Sequence, residues 1–241
     1  MSLLTVSNVT KSFGALRALR GVSFDVHRGE VLGLAGPNGS GKSTLFNVLT
    51  KIPVGPDSGR VVLDGVDLSG LRPHQIVRQG LARIFQTETD FGALTVIQNV
   101  LVALPRGIGR DVRLYALNLL EDFGLADQAD RPASEIGVFD RKKLMIATAM
   151  ACAPRVLLLD EPAAGLSKPE VGAMAKLIKQ INRQDVAIVV IEHVMPLLLD
   201  VSERLVVLDF GEVLAEGLPG EVVRDPKVIE AYLGSEAQAH A

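Results

Sequence analysis

The chain has 241 residues, 48% hydrophobic and 22% charged, the balance of a globular protein long enough to bury a sizeable core. A formal net charge of −3 argues against a general DNA- or RNA-binding surface, which carries a basic excess. The lone cysteine, Cys152, excludes an intramolecular disulfide and points weakly to a reducing compartment.

The first residues, MSLLTVSNVT, lack the basic start and long apolar run of a signal peptide. No stretch approaches the roughly 18 apolar residues of a membrane span. The most apolar late segment, 186–199, is broken by Glu192 and His193. Work at a membrane therefore requires docking onto another subunit.

Short apolar runs alternate with helical patterns, which predicts an α/β protein with a largely parallel sheet. In chain order, Val31–Ala35 reads as a buried strand. It runs into GPNGSGKST, residues 36–44, which fits the pattern G-x-x-x-x-G-K-[S/T] from Gly36 to Ser43. Gly36, Gly39 and Gly41 let the backbone curl so that its N–H groups face phosphate oxygens. A helix starting near Lys42 aims its positive end at the same anion. Lys42 can reach the β- and γ-phosphates, and the Ser43 hydroxyl is placed to ligate Mg²⁺. Pro37, Asn38, Ser40 and Thr44 complete the expected nucleotide-binding set. The competing reading is a glycine-rich turn, but a strand before and a helix after are the context a phosphate loop requires.

Arg60–Leu63 is a strand-like run closed by the turn signal Asp64-Gly65. Residues 94–153 are mostly helix-like, with breaks at Pro105, Gly107 and Pro132, and read as a helical insert in the α/β core. Val156–Leu159 is a strand ending at Asp160, in the segment VLLLDEP. Acids at such a strand end lie where open α/β sheets bind ligands. Asp160 would hold Mg²⁺ through water and Glu161 would polarise the attacking water as general base. Alone, the pair could equally be a surface turn after a strand; the phosphate loop upstream shifts the balance. Two further strands, Val186–Ile191 and Leu205–Leu208, end at Glu192 and Asp209, and the tail 234–241 is small and polar and expected to fray.

This order of motifs resembles the ATP-binding subunit of ABC transporters over nearly the whole chain. The resemblance implies a RecA-like P-loop NTPase core, an N-terminal antiparallel β part and an inserted helical subdomain. It divides the chain into a catalytic core, 1–86 and 155–241, and a helical insert, 87–154. Phe13, in KSFGALRAL, matches the aromatic position that stacks on adenine; the alternative is a core phenylalanine. Gln86 resembles the Q-loop glutamine, which touches Mg²⁺ and water while reporting to a membrane subunit; the alternative is an ordinary polar loop residue. AAGLS, residues 163–167, resembles the D-loop at the dimer interface, and His193 the switch histidine that meets the γ-phosphate. The segments GPNGSGKSTLFNVLT, FGALTVIQNVLVAL, LLLDEPAAGLS and VIEAYLG resemble importer subunits for branched-chain amino acids, whose style amide and urea importers share. ATP, Mg²⁺, a membrane permease, a second ATPase subunit and, indirectly, an extracytoplasmic solute-binding protein are implied. So is a peripheral place on the cytoplasmic face of the membrane.

The resemblance breaks at one point. Where the family carries an LSGGQ-like signature, this chain reads IGVFD, residues 136–140. Gly137 stands at the serine position, Phe139 at a glycine and Asp140 at the glutamine. A side chain at Phe139 is expected to obstruct the phosphate or shift the loop. Ser167 and Lys168 in the D-loop region, and Val194 beside the switch histidine, also depart. These changes predict an asymmetric dimer, in which this chain's phosphate loop meets a partner's intact signature; the alternative is that an irregular loop restores a working signature and a homodimer is the functional unit. The rivals are a soluble ABC ATPase acting on ribosomes or DNA, an ATP-holding regulatory module, and an exporter motor.

Overall fold

The computed structural model describes residues 2–86, 90–105 and 111–239. Two long strands, β1 (Ser2–Phe13) and β2 (Leu16–His27), open the chain as an antiparallel pair. β3 (Val31–Ala35) follows, then α1 (Lys42–Thr50). β4 (Ser58–Leu63) and β5 (Val66–Asp67) return to the first pair and complete an antiparallel sheet of order β2-β1-β4-β5. After α2 (Pro73–Arg78) comes β6 (Leu81–Ile84).

Between β6 and the next strand the described chain is helical: α3 (Val96–Ala103), α4 (Val112–Asp122) and α5 (Val138–Met150), with short 3₁₀ turns at Ala126–Gln128 and Ala133–Glu135. The expected break at Pro105 follows the end of α3, and Pro132 precedes a 3₁₀ turn; the one at Gly107 lies outside the described residues. The rest alternates: β7 (Val156–Asp160), α6 (Lys168–Asn182), β8 (Ala187–Ile191), α7 (Met195–Val201), β9 (Arg204–Asp209) and β10 (Glu212–Gly217). α8 (Pro219–Val222) and α9 (Pro226–Ala239) end the chain, so the tail is helical as far as Ala239.

The second sheet has order β10-β9-β3-β8-β7-β6, parallel throughout except for β10 on its edge. Every residue of β3, β7 and β8 is buried, as in a parallel sheet covered on both faces. Side-chain alternation divides the core accordingly. Leu157, Leu159, Ile188 and Val190 pack with the helical segment, α6 and α7. Val156, Leu158, Val189 and Ile191 pack with α1 and the antiparallel sheet. This is the expected α/β architecture with a mainly parallel sheet and an N-terminal antiparallel part. Its consequence for chemistry is that β3, β8, β7 and β6 are neighbours and point their C-terminal ends the same way.

Candidate functional site

The loop leaving β3 is shaped by backbone contacts that exclude side chains. Gly36 has φ 142°, and a Cβ there would meet the Leu208 carbonyl oxygen at 2.1 Å. Gly41 has φ 107°, with a Cβ position 2.7 Å from the Ala18 carbonyl oxygen. At Gly39, φ 80°, a Cβ would meet nothing within 4 Å, so the need there is conformational. α1 begins directly after Gly41 with no side-chain cap and no acid in its first turn, leaving its N–H groups open to an anion.

Lys42 is 6% exposed and folds back over the loop. Its Nζ donates to the carbonyls of Gly36 (2.7 Å) and Pro37 (2.9 Å) and lies 3.5 Å from the Ser40 hydroxyl. Burial lowers its pKa, while the nearby charges of Glu161 and Asp160 oppose that shift. The turn 209–211 braces the loop from outside: Gly211 N–H donates to the Ser40 carbonyl, and Arg20 N–H donates to the Gly211 carbonyl.

A cleft of about 350 Å³ opens beside this loop. It is lined by Phe13, Asn38, Gly39, Gly41, Lys42, Ser43 and Thr44 on one side and by Glu161 and His193 on the other. Phe13 ends β1 and is 46% exposed, so it is not a core phenylalanine; the Lys11 ammonium sits 5.5 Å from its ring centre. Glu161 follows β7 in a left-handed conformation, φ 50°, its N–H bonded to the Ile191 carbonyl at 2.9 Å. Both its oxygens are engaged. Gln86 Nε2 donates to one at 2.6 Å, and His193 Nε2 lies 3.0 Å from the other. For that second contact to be a hydrogen bond, Nε2 must carry the proton. Residues 86, 161 and 193, on three separate loops, thus form one cluster at the mouth of the cleft.

Asp160 lies beneath, 3% exposed. Arg83 donates to one carboxylate oxygen at 2.7 Å; the other oxygen is buried and has no hydrogen-bond partner. Among the described residues, no group of three or more His, Cys, Asp or Glu could cage a metal. An unpaired carboxylate oxygen under the phosphate loop, with the exposed Ser43 hydroxyl in the cleft, suits Mg²⁺. That ion keeps several waters and takes most other ligands from phosphate.

Three side chains that the sequence did not single out support the site. Arg83 is the first. Glu192, 3% exposed, accepts from Ala163 N–H (2.7 Å), His193 N–H (3.1 Å) and Val194 N–H (3.2 Å), tying the 163–167 loop to the histidine. Burial pushes its carboxyl up, and the three N–H donors pull against that. Tyr232, on α9, receives the Gly36 N–H at its hydroxyl (2.8 Å). A Tyr232→Phe variant leaves that N–H unpaired and is expected to lose about 1–3 kcal/mol of stability, measurable by denaturant unfolding.

The departing segment 136–140 starts α5, with Gly137 as its N-cap. Phe139, the residue expected to obstruct a phosphate or shift the loop, does not stand out into solvent. Its ring is partly buried against the helical core, and Val138, 50% exposed, faces outward instead. Burial alone would raise the Asp140 carboxyl, but Lys143 (2.7 Å) and Gln128 (2.8 Å) outweigh it and hold it below the usual range. The 163–167 loop leads into α6 through a capping box between Ser167 and Glu170.

Residues 19–164 match the ABC transporter family, and residues 212–238 match the branched-chain amino acid ATP-binding cassette transporter family. The chain is 37% identical to the high-affinity branched-chain amino acid transport ATP-binding protein BraF of Pseudomonas aeruginosa, covering 96% of this chain and 98% of that one. It is 33% identical to the lipopolysaccharide export system ATP-binding protein LptB of Haemophilus influenzae, covering 98% and 99%. Among solved structures, it superposes on the ADP conformation of MJ1267, an ATP-binding cassette of an ABC transporter, with a TM-score of 0.87 and 31% identity, over 97% and 99% of the two chains. It also superposes on a dimeric cassette, MJ0796, with a TM-score of 0.79 and 26% identity, over 90% and 98%. With its phosphate loop, its paired acids and these likenesses, the chain belongs to the ABC transporter family, as a nucleotide-binding ATPase subunit coupled to transport.

Proposed function

We propose that this chain is the ATP-hydrolysing motor of an importer for branched-chain amino acids or related small polar solutes. The observation that carries the mechanism is the Glu161 carboxylate, held by Gln86 and His193 at the mouth of the phosphate-loop cleft. ATP lies with its adenine against Phe13 and its phosphates in the loop of residues 36–44. Lys42 meets the β- and γ-phosphates. Ser43, Asp160 and Gln86 would hold Mg²⁺, which when bound supplies charge neutralisation on the phosphates. Each carboxylate oxygen of Glu161 can accept more than one hydrogen bond, so the carboxylate can still take a proton from water. The water oxygen bonds to the γ-phosphorus, the bond to the β-phosphate oxygen breaks, and ADP leaves. His193 and Lys42 stabilise the charge that develops.

The catalytic core, 1–86 and 155–241, would clamp nucleotide, and the helical insert, 87–154, would pass the motion to a permease at the cytoplasmic face of the membrane. No described helix is long and apolar enough to cross one. The match of residues 212–238 and the likeness to BraF favour import of branched-chain amino acids, while the likeness to LptB keeps an exporter motor in view. Reconstitution with a permease and a solute-binding protein tests this. Turnover stimulated by binding protein loaded with leucine, isoleucine or valine supports the importer, and turnover indifferent to it removes that reading.

The start of α5 favours a heterodimer. Gly137 offers no hydroxyl to a phosphate across an interface, and Val138 adds an exposed side chain there. The chain alone is expected to hydrolyse ATP at least about tenfold more slowly than in a mixture with a cassette carrying an intact signature. A missing transition-state donor costs roughly 10²–10³-fold. Equal turnover in steady-state assays with and without the partner would mean that 136–140 still serves as a signature.

A further inference from the structure

Arg83 is 5% exposed in its side chain and has no place in the motifs that define the site. It sits on β6, opposite Leu158 of β7, three residues before Gln86. One guanidinium nitrogen donates to Asp160 at 2.7 Å, and another donates to Asn47 of α1 at 2.7 Å. The guanidinium lies 4.5 Å from the Phe85 ring centre and 5.5 Å from that of Phe46. Its Nε is buried without a partner. Such a cation is fixed from four directions: two acceptors on different elements and two aromatic rings.

We propose that Arg83 is a positioning residue for the metal-bearing carboxylate. By occupying one oxygen of Asp160, it orients the other, which has no hydrogen-bond partner of its own, as the sole acceptor left for a metal-bound water. By bonding Asn47 as well, it fixes that carboxylate to α1, the helix that carries Lys42 and Ser43. The strand before Gln86, the strand before Glu161 and the phosphate-loop helix are then registered through one side chain. A planar fork is suited to this task. It serves two acceptors at fixed angles while stacking on rings, whereas a lysine ammonium is a point charge that brings neither the fork nor the stacking plane. The partner of a carboxylate beneath a metal sets its orientation, and loss of such partners weakens metal binding by about 10–100-fold.

This inference rests on the reading of Asp160 as a holder of Mg²⁺, and the test separates the two. Mn²⁺ serves as the probe, titrated into the full chain saturated with ADP, with free Mn²⁺ read by electron paramagnetic resonance. The unsubstituted chain with ADP should bind Mn²⁺ more tightly than ADP does in solution, and Asp160→Asn should remove that gain. Without such a gain, the reading of Asp160 fails and the inference with it. With the gain present, Arg83→Met should weaken Mn²⁺ binding about tenfold. Its ADP affinity in excess chelator should stay within about twofold, since Arg83 touches the carboxylate that bears the metal and not the nucleotide. A purely structural arginine would lower both affinities together or neither, and either result overturns the proposal. If Arg83→Met melts below the assay temperature, Arg83→Lys decides. A loss of about threefold or more in Mn²⁺ affinity supports the proposal, because the charge is kept and the fork is gone. An unchanged affinity in that variant overturns it.

Discussion

Replacing Glu161 by glutamine is expected to lower ATP turnover by about 10²–10⁴-fold, the usual contribution of a general base. ATP binding should survive. The glutamine is isosteric, and neither Lys42 nor the loop of residues 36–44 depends on the Glu161 carboxylate for its hydrogen bonds. One contact does change character. Glu161 receives both the Gln86 amide and His193 Nε2 on two acceptor oxygens. Glutamine offers one acceptor oxygen and an NH₂, so either Gln86 turns its amide to accept or His193 presents an unprotonated Nε2 as acceptor. Single-turnover phosphate release together with a nucleotide-binding titration distinguishes the cases. Binding retained with chemistry lost is the expected pattern, and unchanged turnover would remove Glu161 from the base role.

Lys42→Ala is expected to fail at the earlier step. The buried ammonium is the donor to two loop carbonyls and, in the proposed reading, the cation that meets the phosphates. Hydrogen bonds to charged groups contribute roughly 1.5–3 kcal/mol each, so ATP affinity should fall about tenfold to a hundredfold. Turnover at fixed ATP should fall at least as far, because the same cation stabilises charge during transfer. Thermal melts with and without ATP check this directly. A ligand that binds the native state raises the melting temperature, so the unsubstituted chain should shift with ATP and the variant should barely shift. Together the two substitutions separate a chain that binds but cuts slowly from one that binds poorly.

The parts of the site that were readable in the sequence are those set by short-range pattern. β3, β7, β8 and β9 are continuous apolar runs stopped by Gly, Asp or Glu, and their expected bounds fall within one residue of the observed ones. The phosphate loop was readable because each glycine has a local backbone reason. β1 and β2 left no readable strand pattern, and the antiparallel part was expected only from the family resemblance. Register shifts between Val6 and Val9, and again between Lys11 and Ser12, interrupt the alternation that marks a half-buried strand. The supporting side chains left no local trace. Arg83 meets Asp160 across 77 positions, and Tyr232 meets Gly36 across 196. The placing of the Phe139 ring was not legible either, because the helical core it packs against is not displayed by a linear pattern.

The strand order carries a consequence for how this protein can change. Gln86, Glu161, His193 and the phosphate loop each hang from the C-terminal end of one of four adjacent parallel strands. Adjacent strands lie about 4.8 Å apart, so the row spans roughly 14 Å from the first to the last. That spacing comes from backbone hydrogen bonds and is independent of which side chains occupy the strands. The sheet therefore acts as a ruler laid beside the triphosphate. Helices, loop lengths and the outer surface can diverge without moving its graduations, whereas a register slip of one residue in β7 or β8 would displace the acid or the histidine by a full step. Insertions should be tolerated in the helical segment and rejected in these short strands, so a motor of this design can be refitted to new permeases while its chemistry stays in place.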